Sequence, residues 1–323
     1  MTLRIYNSLA EIAEPPAAGR VVSIGVFDGV HRGHQQILRR SVDAGREAGA
    51  ASAAVTFYPH PEAVLRRGPA PPMLTPPARK AELLESLGLE ELVVVRFDRD
   101  FARLAPESFC SAVLSEHLGA RAVFVGENFR FGHGGAGTPA DLRRYGRSHD
   151  FEVVAVDLAR EGAEVISSTR IRELLKAGNV ADAARLLGRP HRIEGTVIGG
   201  FGRGRGLDAP TANLTPMPEM ALPRLGIYIT RSTVDASESY RSVTSVGTNP
   251  TFESDRKIRI ETMLLDYSGT LYGSLLAVDF LERIRGQRAF PDAGSLAAQI
   301  RRDVEVARAY PGGEGGEAHT GLT

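Results

Sequence analysis

Two histidines three residues apart, in the run Gly25-Val-Phe-Asp-Gly-Val-His-Arg-Gly-His34, are the first residues whose types and spacing suit a binding site. At a helix start, positions i and i+3 share a face, so His31 and His34 could together donate to a phosphate as its negative charge builds. The helix start adds unpaired N–H groups and the positive end of a dipole. Gly33 would let an anion approach the backbone, and Phe27, Asp28 and Gly29 of the same run are expected with it among the phosphate-binding residues. Two other readings stand beside this one: a histidine pair on a metal, which has no third ligand nearby in sequence, or two unrelated surface residues. A second polar run, Ile166-Ser-Ser-Thr-Arg-Ile-Arg172, sets Ser167, Ser168 and Thr169 at a helix start with arginines behind them. Hydroxyls and a bidentate cation there could grip a polyphosphate, or the hydroxyls could simply cap the helix while Arg170 and Arg172 stay solvated.

A third group lies further on. Gly199-Gly-Phe-Gly-Arg-Gly-Arg-Gly206 carries Gly202, Arg203, Gly204 and Arg205, and leads to Pro210-Thr-Ala-Asn213. No helix pattern follows these glycines, so neither a dinucleotide-binding turn nor a Walker loop is implied. The loop could wrap phosphates with backbone N–H groups or be a plain hairpin with exposed arginines. Thr211 and Asn213 offer hard oxygen donors of the kind Mg²⁺ prefers. Strand alternation puts Arg259, Glu261 and Met263 on one face, where a partly enclosed Glu261 could act as a general base or be an ordinary exposed glutamate.

The elements that must position these groups change character along the chain. From residue 20 to about 158, apolar runs at 21–27, 53–58, 92–97, 122–126 and 151–158 alternate with segments of helical period, one of them 106–118. That alternation predicts a parallel sheet covered by helices on both faces, with the His31 segment at the end of its first strand, where ligands bind such sheets. Two short helices, 171–176 and 180–187, close at Gly188 and Pro190 and mark a boundary. Beyond it, strand-like runs at 193–198, 226–233, 242–246, 258–265 and 275–280 follow one another without helices, which predicts antiparallel pairing and a small closed barrel. An amphipathic helix at 295–309 follows, and the Gly- and Glu-rich end reads as a disordered tail.

Taken together, the histidine and Ser-Ser-Thr-Arg runs resemble the nucleotidylyltransferase superfamily. The likeness sharpens with Phe27-Asp-Gly-Val-His-Arg-Gly-His34, Thr56-Phe-Tyr-Pro-His-Pro61, Val125-Gly-Glu-Asn-Phe-Arg-Phe-Gly132 and Ile166-Ser-Ser-Thr-Arg-Ile-Arg172. In order and spacing these are similar to the adenylyltransferase module of the bacterial bifunctional riboflavin kinase/FAD synthetase family. The resemblance implies that His31, His34, Ser167, Ser168, Thr169 and Arg172 bind ATP phosphates, that Asn128 sits at the nucleotide or flavin site, and that Phe57, Pro59, His60 and Pro61 lie beside the flavin. Gly202-Arg-Gly-Arg, Pro210-Thr-Ala-Asn-Leu214, Gly247-Thr-Asn-Pro-Thr-Phe252, Leu271-Tyr-Gly273 and Gln299-Ile-Arg-Arg-Asp303 resemble the same family's kinase module, a six-stranded barrel with a C-terminal helix. Carried over, Thr211 and Asn213 would hold Mg²⁺ and phosphates, and Glu261 would be the catalytic base. Asp208, Ala209, Met263, Gln287 and Ala289 depart from that pattern.

The resemblance implies residues 1–186 as an FMN adenylyltransferase, 187–310 as a riboflavin kinase and 311–323 as a tail. ATP is the co-substrate, with riboflavin, FMN and FAD as substrates and products. Two alternatives remain: an adenylyltransferase whose impaired kinase half only binds flavin, and a non-catalytic flavin or nucleotide sensor. Charge is consistent with small-molecule partners. The 39 Lys+Arg balance 39 Asp+Glu over 323 residues, and the balance holds on either side of residue 186. A nucleic-acid binder would need a basic surface. A single cysteine, no signal-peptide pattern and no apolar run of about 20 residues point to the cytoplasm and away from membranes. Sequence leaves the oligomeric state open.

Overall fold

The computed structural model describes residues 2–65, 69–198, 211–248 and 258–311. The chain forms two compact units, Met1–Ser168 and Thr169–Thr323. In the first, parallel strands β1 (Arg4–Tyr6), β2 (Arg20–Ile24), β3 (Ala51–Tyr58), β4 (Glu91–Arg96), β5 (Ala120–Gly126) and β6 (Glu152–Val156) pair in the order β1-β4-β3-β2-β5-β6. Every residue of β2 is buried, as in a strand covered on both faces, and its apolar Val21, Val22 and Ile24 are joined there by Arg20 and Ser23. Helices α1 (Arg32–Ala48), α2 (Pro61–Leu65), α3 (Pro77–Ser86), α4 (Pro106–Ser108, continuing as the wider π-type coil Phe109–His117) and α5 (Pro139–Ser148) intervene. Leu38 and Val42 of α1 and Leu84 of α3 pack on one face of the sheet. Phe109, Val113 and Leu114 after α4 and Leu142 of α5 pack on the other.

The sheet reverses direction of growth at β2, with β3 on one side and β5 on the other. The loops after β2 and β5 therefore flank the crevice where this architecture binds ligands. A two-stranded ribbon, β7 (Arg160–Glu161) with β8 (Glu164–Val165), follows β6. The first strand stops at Ile24, short of the expected Phe27, because the backbone leaves the sheet at Gly25 to begin the turn into α1. The sheet also gains β1, which the sequence pattern did not reveal.

The second unit begins inside α6 (Ser168–Ala177), at Thr169, and continues with α7 (Val180–Leu187), which packs against β9 (His191–Ile198) and β14 (Leu275–Arg285). The compact units therefore part at Ser168/Thr169, ahead of most of this helix pair. With β10 (Thr211–Leu214), β11 (Gly226–Val234), β12 (Ser239–Thr248) and β13 (Ile258–Leu264), these strands close an antiparallel barrel in the order β10-β13-β12-β11-β14-β9. Helix α8 (Ala293–Ala309) covers the outer wall, where Ile300, Val304 and Ala307 meet Ile229, Val243, Met263 and Leu265. On the inward face five fully buried hydroxyls bond to one another: Thr230 to Ser242 and Thr244 at 2.7 Å, Ser232 to Ser242 at 2.7 Å and Thr262 at 3.4 Å, and Thr244 to Thr262 at 2.6 Å.

One buried ion pair ties the amino end of the sheet. Arg20 of β2 reaches across β3 to Glu91 of β4, and its Nη1 donates to the Leu118 carbonyl at 2.9 Å. Taking the cation away would leave Glu91 buried without its charge partner, at a cost of about 3–5 kcal/mol, whereas replacing both members with apolar residues costs far less. Arg20→Met should therefore lower the urea midpoint steeply and Arg20→Met/Glu91→Leu should recover most of the loss. A single replacement no worse than the double would sink this account of the pair.

Candidate active sites

The turn from β2 to α1 is the most constrained stretch of the first unit. Phe27 and Val30 have φ of 50° and 40°, in the left-handed region that non-glycine residues avoid, and Gly29 has φ of 85°. Side chains from distant segments hold it. Thr56 Oγ1 and Lys80 Nζ both donate to the Val26 carbonyl, at 2.9 and 2.8 Å. Gln35 Nε2 donates to the Val30 carbonyl at 2.9 Å, and Ser168 Oγ to the Asp28 carbonyl at 2.8 Å. The Asp28 carboxylate accepts from the backbone of Leu74 and Thr75 at 3.0–3.2 Å.

Helix α1 starts immediately after the turn. His31 is its N-cap, with Nδ1 accepting from His34 N at 3.3 Å. An accepting Nδ1 leaves the ring proton on Nε2, so His31 is a donor through that nitrogen. The His31 and His34 rings stack 3.6 Å apart at 18°, and Phe27 meets His34 edge-on at 5.3 Å. Nδ1 of His34 is buried without a hydrogen-bond partner among the described residues. Burial first, then His31 and Lys80, hold its pKa well below the ordinary histidine value, so the ring is neutral at pH 7. A neutral His34 stacked on His31 at a helix N-terminus can meet a phosphate without the cost of burying two cations.

Several expected ligands have other tasks here. Phe27 is 1% exposed and belongs to the core beneath α1, so its side chain packs rather than meeting a nucleotide. The Asp28 carboxylate is engaged with the 74–75 backbone, which makes it a clasp on the turn. At Gly33 a Cβ would press on the His31 ring at 3.2 Å and meet Ala159 at 3.5 Å, so the glycine also leaves room for that ring. Ser167 and Ser168 stand at the start of α6, and Thr169 and Arg172 follow along that helix in the second unit. Lys80 was not singled out by the sequence, although a lysine in the first turn of a helix opposes the dipole and is a signal in itself.

The proposed flavin residues cluster at the carboxyl ends of β3 and β5. Phe57 is half-buried and contacts Phe97 and Phe101 at 5.7 and 6.0 Å, opening a row that continues through Phe109 and Phe131 to Phe129. Pro59 follows a cis peptide, His60 Nδ1 accepts from Glu62 N at 3.1 Å, and Pro61 opens α2. Asn128 is exposed just beyond β5.

In the barrel, alternation separates two surfaces. Ile260, Thr262 and Leu264 of β13 and Ala212 and Leu214 of β10 are fully or almost fully buried on the inward face. Thr211, Asn213 and Glu261 therefore share the outer face. Asn213 is the register partner of Glu261, and Thr211 that of Met263. Directly opposed residues hold their Cβ atoms about 4.5–5.5 Å apart, so an amide oxygen, a hydroxyl and a carboxylate converge on one patch of hard donors. Among the described residues no three His, Cys, Asp or Glu side chains form a metal-binding group. The donor set fits Mg²⁺ if phosphate oxygens complete its shell. Met263 is buried among the apolar residues under α8, so a methionine at this position serves packing. Gln287 lies over Gly247, where any Cβ would collide with it. Gly202, Arg203, Gly204, Arg205, Asp208 and Ala209 lie outside the described residues.

Comparison with known proteins addresses both units. The FAD synthetase family matches residues 14–170, and the riboflavin kinase family matches residues 187–311. The bifunctional riboflavin kinase/FMN adenylyltransferase of Escherichia coli strain K12 is 34% identical over 96% of this chain and 98% of its own length. That of Listeria monocytogenes is 34% identical over 90% and 92%, and that of Bacillus subtilis 35% identical over 91% and 93%. A solved structure described as a macrolide-efflux protein from Streptococcus pneumoniae superposes with a TM-score of 0.84, covering 96% of this chain and 100% of that one at 30% identity. Among the described residues no helix is long and apolar enough to cross a membrane. With a six-stranded parallel sheet followed by a closed six-stranded barrel, a match to each of the two families and relatives aligned over nearly their whole length, the chain belongs to the bifunctional riboflavin kinase/FMN adenylyltransferase family.

Proposed function

We propose that the chain makes FAD from riboflavin in two ATP-dependent steps. Residues 187–310 phosphorylate riboflavin and residues 1–186 adenylylate the FMN that results. The observation that carries this reading is that each unit gathers polar groups, far apart in sequence in the barrel, onto one surface suited to phosphates. These are the stacked His31 and His34 with Ser168 bonded to their turn, and Asn213 paired with Glu261 beside Thr211.

In the first step Glu261 takes the proton from the riboflavin 5′-hydroxyl as that oxygen attacks the γ-phosphorus of ATP, and ADP leaves. Thr211 and Asn213 would hold Mg²⁺, which neutralises phosphate charge when bound, with Gly202, Arg203, Gly204 and Arg205 supplying further phosphate contacts. In the second step a phosphate oxygen of FMN attacks the α-phosphorus of ATP and pyrophosphate leaves. That oxygen is already anionic, so the site has to position and neutralise rather than deprotonate. His31, His34, Ser167 and Ser168 contact the phosphates, in a motif that continues into Thr169 and Arg172. The Phe57 end of the aromatic row, with Pro59 and Pro61, offers the flavin an apolar surface beside His60, and Asn128 sits at the nucleotide or flavin site. The single cysteine, buried with its thiol pushed up to about 12, agrees with a cytoplasmic enzyme.

Incubation with riboflavin, ATP and Mg²⁺, followed by chromatographic separation of flavins, should yield FMN and then FAD. FAD from supplied FMN only would remove the kinase step, and no FAD from either flavin would overturn the proposal. His34→Ala should abolish FAD while FMN still accumulates, and Glu261→Ala should stop FMN formation while supplied FMN is still adenylylated. Replacing Asp208-Ala209 with Gly-Phe should raise the phosphorylation rate, because it removes a carboxylate beside the phosphate loop; an unchanged rate would discard that account of the departure.

The neutral His34 also sets a pH dependence. The unfolded chain binds a proton near the ordinary histidine value of 6.5, which the native His34 refuses. Stability therefore falls as pH drops through that value, by up to about 1.4 kcal/mol per pH unit from this residue. Between pH 7.5 and 5.5 the native chain should lose more urea resistance than His34→Gln. Equal losses would show that His34 is not held neutral.

A further inference from the structure

We propose that Lys80 is a positioning residue of the adenylyl-transfer site: its ammonium clamps the Val26 carbonyl and so holds the strained Phe27–Val30 turn that delivers His31 and His34. The inference rests on the reading that His31 and His34 contact ATP phosphates. Lys80 is one of only three lysines in the chain, with Lys176 and Lys257. It sits in the first turn of α3, where a cation opposes the helix dipole, so local helix preference does not explain it. Its Nζ reaches across to donate 2.8 Å to Val26 O, 54 positions away in sequence.

The second donor on that carbonyl, Thr56 Oγ1, comes from β3. The peptide entering the left-handed Phe27 is thus gripped by α3 and β3 together. Such conformations persist only where the surroundings over-determine them. The Asp28 carboxylate opposes the cost of burying the ammonium. The charged and titratable groups around His34 are then His31, stacked on it from the helix cap, and Lys80 from α3, with Asp28 facing Lys80. Lys80 discourages a proton on His34 and adds positive potential behind the imidazoles where an incoming polyphosphate needs it.

The test is the titration of the His34 ring by NMR alongside FAD formation from supplied FMN. In Lys80→Met the His34 midpoint should move up in pH and kcat should fall roughly 10- to 100-fold, the scale of a displaced catalytic turn. Lys80→Arg, which keeps the charge, should hold the midpoint low and recover most of the rate. A midpoint that does not move in Lys80→Met, or a rate equal to that of the unmodified protein, overturns the proposal. If Lys80→Met does not fold, the unmodified protein decides: the Lys80 ammonium signal should exchange with water far more slowly than that of the exposed Lys176, and equal exchange overturns the clamp. Absence of FAD formation in the unmodified protein would instead reject the function, since the titration and exchange readouts do not depend on turnover.

Discussion

The first unit is organised around a short piece of backbone that does not favour its own conformation. Phe27 and Val30 each occupy left-handed geometry that costs about 1–3 kcal/mol, and Val30 is β-branched, which makes the cost harder to avoid. The compensation comes from outside the turn: Thr56, Gln35, Lys80 and Ser168 each donate to one of its carbonyls, and Asp28 fastens it to residues 74–75. These partners come from β3, α1, α3 and α6, so elements spread over 140 residues converge on one loop. The chemistry at His31 and His34 depends on that convergence, because a helix start can present two stacked rings only if the chain arrives at a fixed angle.

The barrel solves a different problem with a simpler device. Alternation along β10 and β13 sends Ala212, Leu214, Ile260, Thr262 and Leu264 inward and leaves Thr211, Asn213 and Glu261 outside. A strand buried on both faces could not carry a carboxylate in its middle without a partner. The same outer face is shared between two duties. Met263, two residues beyond Glu261, is covered by α8, so one strand supplies both the helix-packing surface and the polar patch.

Much of this was legible in the sequence, because the sheet, the barrel and the histidine and hydroxyl motifs are written in contiguous residues. His31 and His34 needed only their spacing and their place after an apolar run. What escaped notice depends on partners far along the chain. Three-residue β1 has no periodicity to detect and exists through its pairing with β4. Lys80 and Asp28 acquire their tasks from contacts 54 and 46 positions away. Sequence placed Phe27, Asp28 and Gly33 at the ligand because they sit inside the motif, whereas their side chains, or the lack of one, serve the turn. Motif membership singled out the loop without dividing labour within it.

The five hydroxyls inside the barrel have an arrangement whose consequence is topological. Thr230, Ser242, Ser232, Thr262 and Thr244 are linked in that order and back to Thr230, which is a closed ring. Each hydroxyl can donate once and accept once around it, so every polar hydrogen is satisfied without water. The ring admits two circulations, clockwise and anticlockwise, that exchange only if all five protons turn together. In either one the O–H dipoles run head to tail and largely cancel. The lumen is thereby rich in oxygen while the ring's own dipoles add little net field, and the longest step of the ring is the 3.4 Å one between Ser232 and Thr262.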